Sequence, residues 1–202
     1  MDFEKLGHAS FLYDAGVTEI ASREPPMEVA RRYVTKFGTV TMREERAEDE
    51  PFLFALFKSH TERPLKLAGV AEAAIDTMVA FQYRSQSGTH RAAFPNAVYS
   101  IIESGGEPIG RLIEEDEGES VYFVDFALTP ERQAKGLGTA FIELVADEWA
   151  AKGRAARVEV HVGNEPSLKL CRKLGFVMIE DKRMGYVNLL RSRELAPGGK
   201  EA

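Results

Sequence analysis

The sequence predicts a mixed α/β fold built on one central sheet, and three observations carry that prediction. The run Val121-Tyr-Phe-Val-Asp-Phe-Ala-Leu128 is apolar at nearly every position, as a central strand covered on both faces would be. In the second half of the chain, helical stripes alternate with short strand-like runs, the pattern of crossover units. In the middle, Ser104-Gly-Gly-Glu107 joins two strand-like runs directly, as a hairpin turn does. The order is strand, two helices, three antiparallel strands, helix, strand, helix, two strands.

Taken in order, residues 1–37 differ from the rest of the chain. Met1 to Glu24 mixes charges without a period, and Pro25-Pro26 breaks the chain. Met27 to Phe37 fits a short helix with Ala30, Tyr33, Val34 and Phe37 on one face and Pro26 near its start. This N-terminal extension is a packed added helix, a flexible arm, or sequence upstream of a start at Met27 or Met42. From Gly38 the pattern is regular, and residues 38–190 are expected to form the domain. Thr39 to Arg43 reads as a strand. Pro51 opens a helix with Phe52, Leu53, Leu56 and Phe57 at core spacing, ending before Pro64. A second helix carries Leu67, Val70, Ala74, Ile75, Met78 and Gln82 and is closed by Gly88 and Pro95.

Strands follow at Ala97–Glu103 and Pro108–Glu114. The charge run Glu114 to Glu119 reads as a solvated turn. After the apolar strand, Leu137, Ala140, Phe141, Leu144 and Val145 form the stripe of a helix ending near Lys152. Arg157–Val162 is a strand. Asn164-Glu-Pro-Ser167 starts a helix that Gly175 ends, and strands at Phe176–Glu180 and Met184–Leu190 finish the sheet. The tail 191–202, with Pro197-Gly-Gly, is expected to be mobile.

Composition narrows the function. A chain of 202 residues with 44% hydrophobic and 29% charged residues has the make-up of an ordinary soluble globular protein with one sizeable core. The net charge of −6 argues against general nucleic-acid binding. One cysteine allows no internal disulfide and is too few for a thiolate zinc site. Neither a signal peptide nor a membrane span is evident, so a cytoplasmic location is expected.

The chemistry concentrates in Gln133-Ala-Lys-Gly136-Leu-Gly138-Thr139, a glycine-bearing turn between the apolar strand and its helix. Backbone N–H groups and the positive end of the helix dipole converge there, which suits a phosphate or diphosphate. The stretch lacks the third glycine of a dinucleotide fingerprint and the Gly-Lys-Ser/Thr of a Walker loop. About 26 residues beyond Gly138 comes Asn164-Glu-Pro-Ser167-Leu-Lys-Leu170-Cys171-Arg-Lys-Leu-Gly175-Phe176.

Together the two blocks resemble the acyl-CoA-binding half of the GNAT superfamily of N-acetyltransferases, and the predicted element order matches that fold from Gly38 to about Leu190. The resemblance implies that the backbone of Gln133, Ala134, Lys135, Gly136, Leu137, Gly138 and Thr139 holds a CoA diphosphate. It implies that Phe126, Ala127 and Leu128 lie on a strand end that splays from the Arg157–Val162 strand and pairs with the pantetheine arm. The N–H of Leu128 then serves as the oxyanion donor. Asn164, Ser167 and Cys171 flank the cofactor. Acetyl-CoA is the implied co-substrate, a primary amine the acceptor, direct attack in a ternary complex the route, and no metal is required.

Cys171 stands where many members carry Tyr as the acid for the leaving thiolate, so it is either that acid or a small packing residue. Asp125, within the apolar strand, needs a partner; it is an ion-pair member or the general base. Simple alternation puts it opposite Tyr122, the rival base, unless a bulge intervenes. Glu159 and His161 are weaker candidates. Gln82, Tyr83, Arg84, Gln86, His90 and Arg91, near Phe94, either orient a small acceptor or form an exposed helix end with a solvated loop. Two alternatives stand beside a metabolite acetyltransferase: an acyl-CoA sensor without turnover, and an enzyme acting on a protein amine. The assembly is expected to be a monomer or homodimer.

Overall fold

A computed structural model of the protein describes residues 31–181 and 185–192; expectations for the first thirty residues and for the tail beyond 192 lie outside these. Among the described residues, one eight-stranded sheet runs in the order β1-β2-β3-β4-β5-β6-β8-β7. Its strands are β1 (Arg31–Thr35), β2 (Gly38–Glu44), β3 (Val98–Ser104), β4 (Glu107–Asp116), β5 (Ser120–Leu128), β6 (Ala155–His161), β7 (Val177–Asp181) and β8 (Tyr186–Arg191). Only β5 and β6 are parallel. The helices are α1 (Glu50–Leu67), α2 (Glu72–Ala93), α3 (Leu137–Ala151) and α4 (Glu165–Lys173). The fold is the mixed α/β sheet that the sequence predicts, with one strand more.

The sheet separates two cores. Val121 and Phe123 of β5 pack with Phe141, Val145 and Cys171 of α3 and α4. Tyr122 and Val124 turn to the other face, with Phe94 and Ile113. On that face α1 and α2 bury Leu53, Phe57, Ile75, Val79 and Tyr83 against Ile101. β5 is therefore covered on both sides, which is why its sequence is apolar without alternation.

Four expectations are corrected. The stretch from Arg31 to Phe37 is not helical: β1 pairs with β2 from Arg31↔Met42 to Thr35↔Gly38, so the sheet starts before Gly38. Tyr33 is buried while Val34 is 74% exposed, so the aromatic and β-branched positions follow a period of two. α1 does not stop before Pro64 but runs through it, because Leu65 fills the core at 1% exposure and Ala68 N donates to Pro64 O at 2.9 Å. Gly88 lies inside α2, which continues to Ala93 and ends before Pro95.

Glu114 is not in a solvated turn. It is 2% exposed, ion-paired with Arg31 and accepting from Trp149 Nε1 at 2.6 Å. Arg31 also reaches Glu148 at 3.0 Å, and Tyr33 Oη donates to Glu148 at 2.6 Å. These bonds fasten β1 to β4 and α3.

Candidate active site

Strand β5 changes character along its length. Its parallel ladder with β6 covers Ser120↔Ala155, Val121↔Ala156 and Tyr122↔Arg157 and then stops. Beyond Tyr122 the two strands diverge. On the other side, the ladder with β4 continues to Gly110↔Leu128. Thr129 N donates to Ile109 O at 2.9 Å, making that pair a hydrogen-bonded one. Alternation along an antiparallel ladder then turns the N–H and C=O of Leu128 and Phe126 away from β4, toward the opening beside β6. Gly110 allows this close approach: a Cβ there would lie 2.4 Å from Ala127 O.

The loop after β5 is built to gather amides. A single 3-10 turn at Pro130–Arg132 takes up the Gln133 N–H, which donates to Pro130 O at 3.2 Å. Ala134 is left-handed at φ 56° and Gly136 at φ 87°. Left-handed residues at such spacing curl the backbone into a concave row of N–H groups. Gly136 caps α3, whose first intrahelical donor is Ala140 at 3.1 Å from Gly136 O. The N–H groups of Leu137, Gly138 and Thr139 thus precede the helical ladder, where an anion is favoured. Left-handed Ala134 costs about 1–2 kcal/mol. Lys135 is exposed. Gly138 faces Phe126 and Leu128, whose side chains lie 3.4 Å from where its Cβ would be.

Beneath the opening lies an apolar cavity of about 50 Å³ lined by Phe123, Phe126, Ser167 and Cys171 among others. Cys171 is 5% exposed, and burial pushes its thiol up to about 11. Asn164 is buried, with its Oδ1 accepting from Ser167 N at 3.3 Å as the cap of α4. Among the predicted cofactor residues, Phe126, Leu128, Gly138, Ser167 and Cys171 therefore share one region, and the 134–139 loop adjoins it.

The predicted bases fare differently. The β4–β5 register shifts between Ile113 and Glu114, which pair with Asp125 and Phe123 and leave Val124 as the extra residue. This bulge reverses the alternation, so Asp125 shares the face of Tyr122 instead of opposing it. Asp125 is 2% exposed and pairs with Arg111, whose Nε donates at 2.9 Å. Tyr122 is sealed in the core with the Arg157 guanidinium 3.9 Å from its ring centre. At ~3.3 Å per residue it stands roughly 15–20 Å along the strand from Leu128, too far to act at the same carbonyl. Glu159 is buried and bonded to Arg157 at 3.3 Å. His161 Nδ1 accepts from Gly163 N at 3.0 Å and its ring packs on Tyr186.

Sequence reasoning missed His60. Its Nε2 lies 3.0 Å from Leu128 O, beside Gln133 Nε2, which donates to the same carbonyl at 2.6 Å. Burial holds the His60 imidazole below its ordinary pKa of 6.5, so it is neutral near pH 7. His60 falls on the Leu53–Phe57 stripe of α1, which was the available signal. Arg111 was also missed. It joins Glu45, Glu50, Tyr83, His90 and Tyr99 around a polar cavity of about 40 Å³. Of the acceptor residues proposed on α2, Tyr83, His90 and Arg91 reach this cavity, whereas Arg84 is exposed to solvent.

Known proteins share this architecture. The fold is that of PaiA N-acetyltransferase from Thermoplasma acidophilum in complex with coenzyme A (TM-score 0.57, 18% identity, 76% of this chain and 98% of that one). The GNAT domain of S. lividans PAT is similar (0.54, 17%, 81% and 96%). So is a ribosomal-protein alanine N-acetyltransferase from Escherichia coli (0.50, 16%, 81% and 99%). The fold is therefore that of an N-acetyltransferase. Residues 67–176 match the acetyltransferase (GNAT) family, and the chain belongs to it. Comparison with curated proteins gives no match. No described helix is long and apolar enough to cross a membrane, and among the described residues no cluster of three or more His, Cys, Asp or Glu could hold a metal.

Proposed function

We propose that the protein transfers an acetyl group from acetyl-CoA to a primary amine by direct attack in a ternary complex. The observation that carries this reading is the early end of the β5–β6 ladder, which leaves β5 open on that side as far as Leu128, where the loop of helix-entry amides follows. That pairing of features fits a long ligand with an anionic middle and an amide-bearing arm. The concave 134–139 backbone and the side-chain-free Gly138 would hold the diphosphate. The outward N–H and C=O groups of Phe126 would pair with the arm, as an added strand does, while the Leu128 N–H faces the thioester. Acetyl-CoA supplies the activated acyl group.

The chain's own work is then positioning and charge stabilisation. The Leu128 N–H donates to the oxygen that gains charge, a contribution whose loss typically lowers rates ~10²–10³-fold. His60 and Gln133 both bond Leu128 O and so fix the orientation of that peptide end. They are positioning residues. Arg111 and Asp125 keep a fixed charge pair beneath the acceptor side, which supports a structural over a catalytic role for Asp125. Glu50, Tyr83 and Arg111 line a small polar cavity on this side, a candidate contact surface for the acceptor amine.

Release of free thiol from acetyl-CoA across a panel of small amines and basic peptides tests the reading. Amine-dependent release is expected. Tight binding of acetyl-CoA with no release for any acceptor would mark a sensor instead.

A further inference from the structure

The β1–β2 turn touches the proposed diphosphate loop. A Cβ on Gly136 would lie 3.0 Å from Phe37 Cζ, so the Phe37 ring leans on the left-handed turn that opens α3. The two loop glycines have different neighbours. Gly138 looks toward Phe126 and Leu128, on the strand side, whereas Gly136 looks toward Phe37. The loop thus lies between the end of β5 and the tip of the first hairpin.

That tip is set in advance. Thr35 Oγ1 accepts from Phe37 N at 3.0 Å and donates to Gly38 O at 2.8 Å, and Gly38 takes φ 111°. The Phe37 ring remains 41% exposed, with Lys36 Nζ 5.2 Å from its centre. An exposed aromatic ring and an ammonium are held together beside amides that already favour an anion. Behind them, Arg31 and Tyr33 tie β1 to Glu114 and Glu148, so the tip has an anchored base.

We propose that the Lys36–Phe37 turn is the nucleotide-side wall of the coenzyme A site. Phe37 is a positioning residue that braces the turn at Gly136, and Lys36 contributes positive charge to the coenzyme's phosphates. This rests on the proposed acetyl-CoA site, because the arm side of the loop is taken to face Leu128. The nucleotide then leaves on the side of Phe37.

Calorimetry with coenzyme A, dephospho-coenzyme A and pantetheine, together with turnover on acetyl-pantetheine, tests the proposal. Phe37→Ala is expected to weaken coenzyme A about tenfold and Phe37→Tyr to restore it, while turnover on acetyl-pantetheine stays at the wild-type level. Lys36→Gln, on an exposed turn where folding is not at stake, is expected to weaken coenzyme A about threefold and to flatten its salt dependence. Coenzyme A affinity within twofold of wild type in both variants overturns the proposal. Equal losses for coenzyme A and pantetheine overturn it too, since they would mark a general disturbance. If the wild-type protein binds no coenzyme A, the acetyltransferase reading itself fails, and that outcome is distinct from the others.

Discussion

The two halves of β5 share one strand and are built for opposite ends. From Ser120 to Tyr122 the strand is bonded to neighbours on both sides, and Arg157 closes over the Tyr122 ring while pairing with Glu117 and Glu159. From Phe123 to Leu128 the β6 side has no ladder, and the backbone looks into an opening instead. The bulge at Val124 lies at the start of the second half. The first half obeys the rule that buried backbone groups pair within the sheet. In the second half the outward groups near Leu128 are left to a side-chain donor, to water or to a ligand. A strand that stops pairing before it stops being a strand is a binding edge.

The largest expected effect breaks the second half alone. Gly138→Trp places a ring where Phe126 and Leu128 already stand 3.4 Å from a bare Cβ. Acetyl-CoA affinity by calorimetry is expected to fall at least about a hundredfold, with the far-ultraviolet circular dichroism retained. Unchanged affinity would sink the assignment of the loop to a diphosphate.

A smaller effect of the opposite kind is expected in the first half. Arg157→Ala removes the cation over Tyr122 and the partner of Glu117. It is expected to destabilise the fold by about 2 kcal/mol in urea unfolding, because Tyr122 and Glu159, which it leaves behind, are buried. The KM for acetyl-CoA should stay within twofold of wild type. A stability unchanged by this variant, or a large rise in KM, would erase the distinction between the halves.

Much of this arrangement was legible in the sequence where one residue pattern has one physical outcome. The apolar run of β5, interrupted by Asp125, fits a strand covered twice, and the stripe from Leu137 to Val145 fits one helix face. The loop was legible from Gly136 and Gly138, although not from Ala134, since nothing in an alanine advertises a left-handed turn. What escaped depended on contacts between distant parts of the chain. Glu114 reads as one of a run of solvated acids until Arg31 and Trp149 reach it. Asp125 was placed on the wrong face because a bulge leaves no compositional mark at Val124. His60 looked like an ordinary helix residue, since its relation to Leu128 spans 68 positions. The first strand was missed because five residues with one buried aromatic fit either period.

The smallest expected effect concerns the underside of the splayed half, where Cys171 adjoins Phe126 around the apolar cavity. A thiol pushed up to about 11 by burial is a poorer proton donor near neutrality than one at the ordinary value of 9.0. Packing is then its main contribution, and Cys171→Ala should lower turnover less than tenfold and stability by about 1 kcal/mol. The raised value sets the sign of its pH linkage. The neutral thiol is favoured by the fold, so its contribution is complete below 9.0, the ordinary value, and is lost as pH rises through about 11. Wild type should therefore lose its stability advantage over Cys171→Ala between those limits, read as urea midpoints against pH. In the folded protein at pH 7.5, alkylation by iodoacetamide should be at least about a hundredfold slower than in urea. Fast alkylation of the folded protein, or a turnover loss far above tenfold without loss of stability, would instead make Cys171 part of the chemistry on the open side of β5.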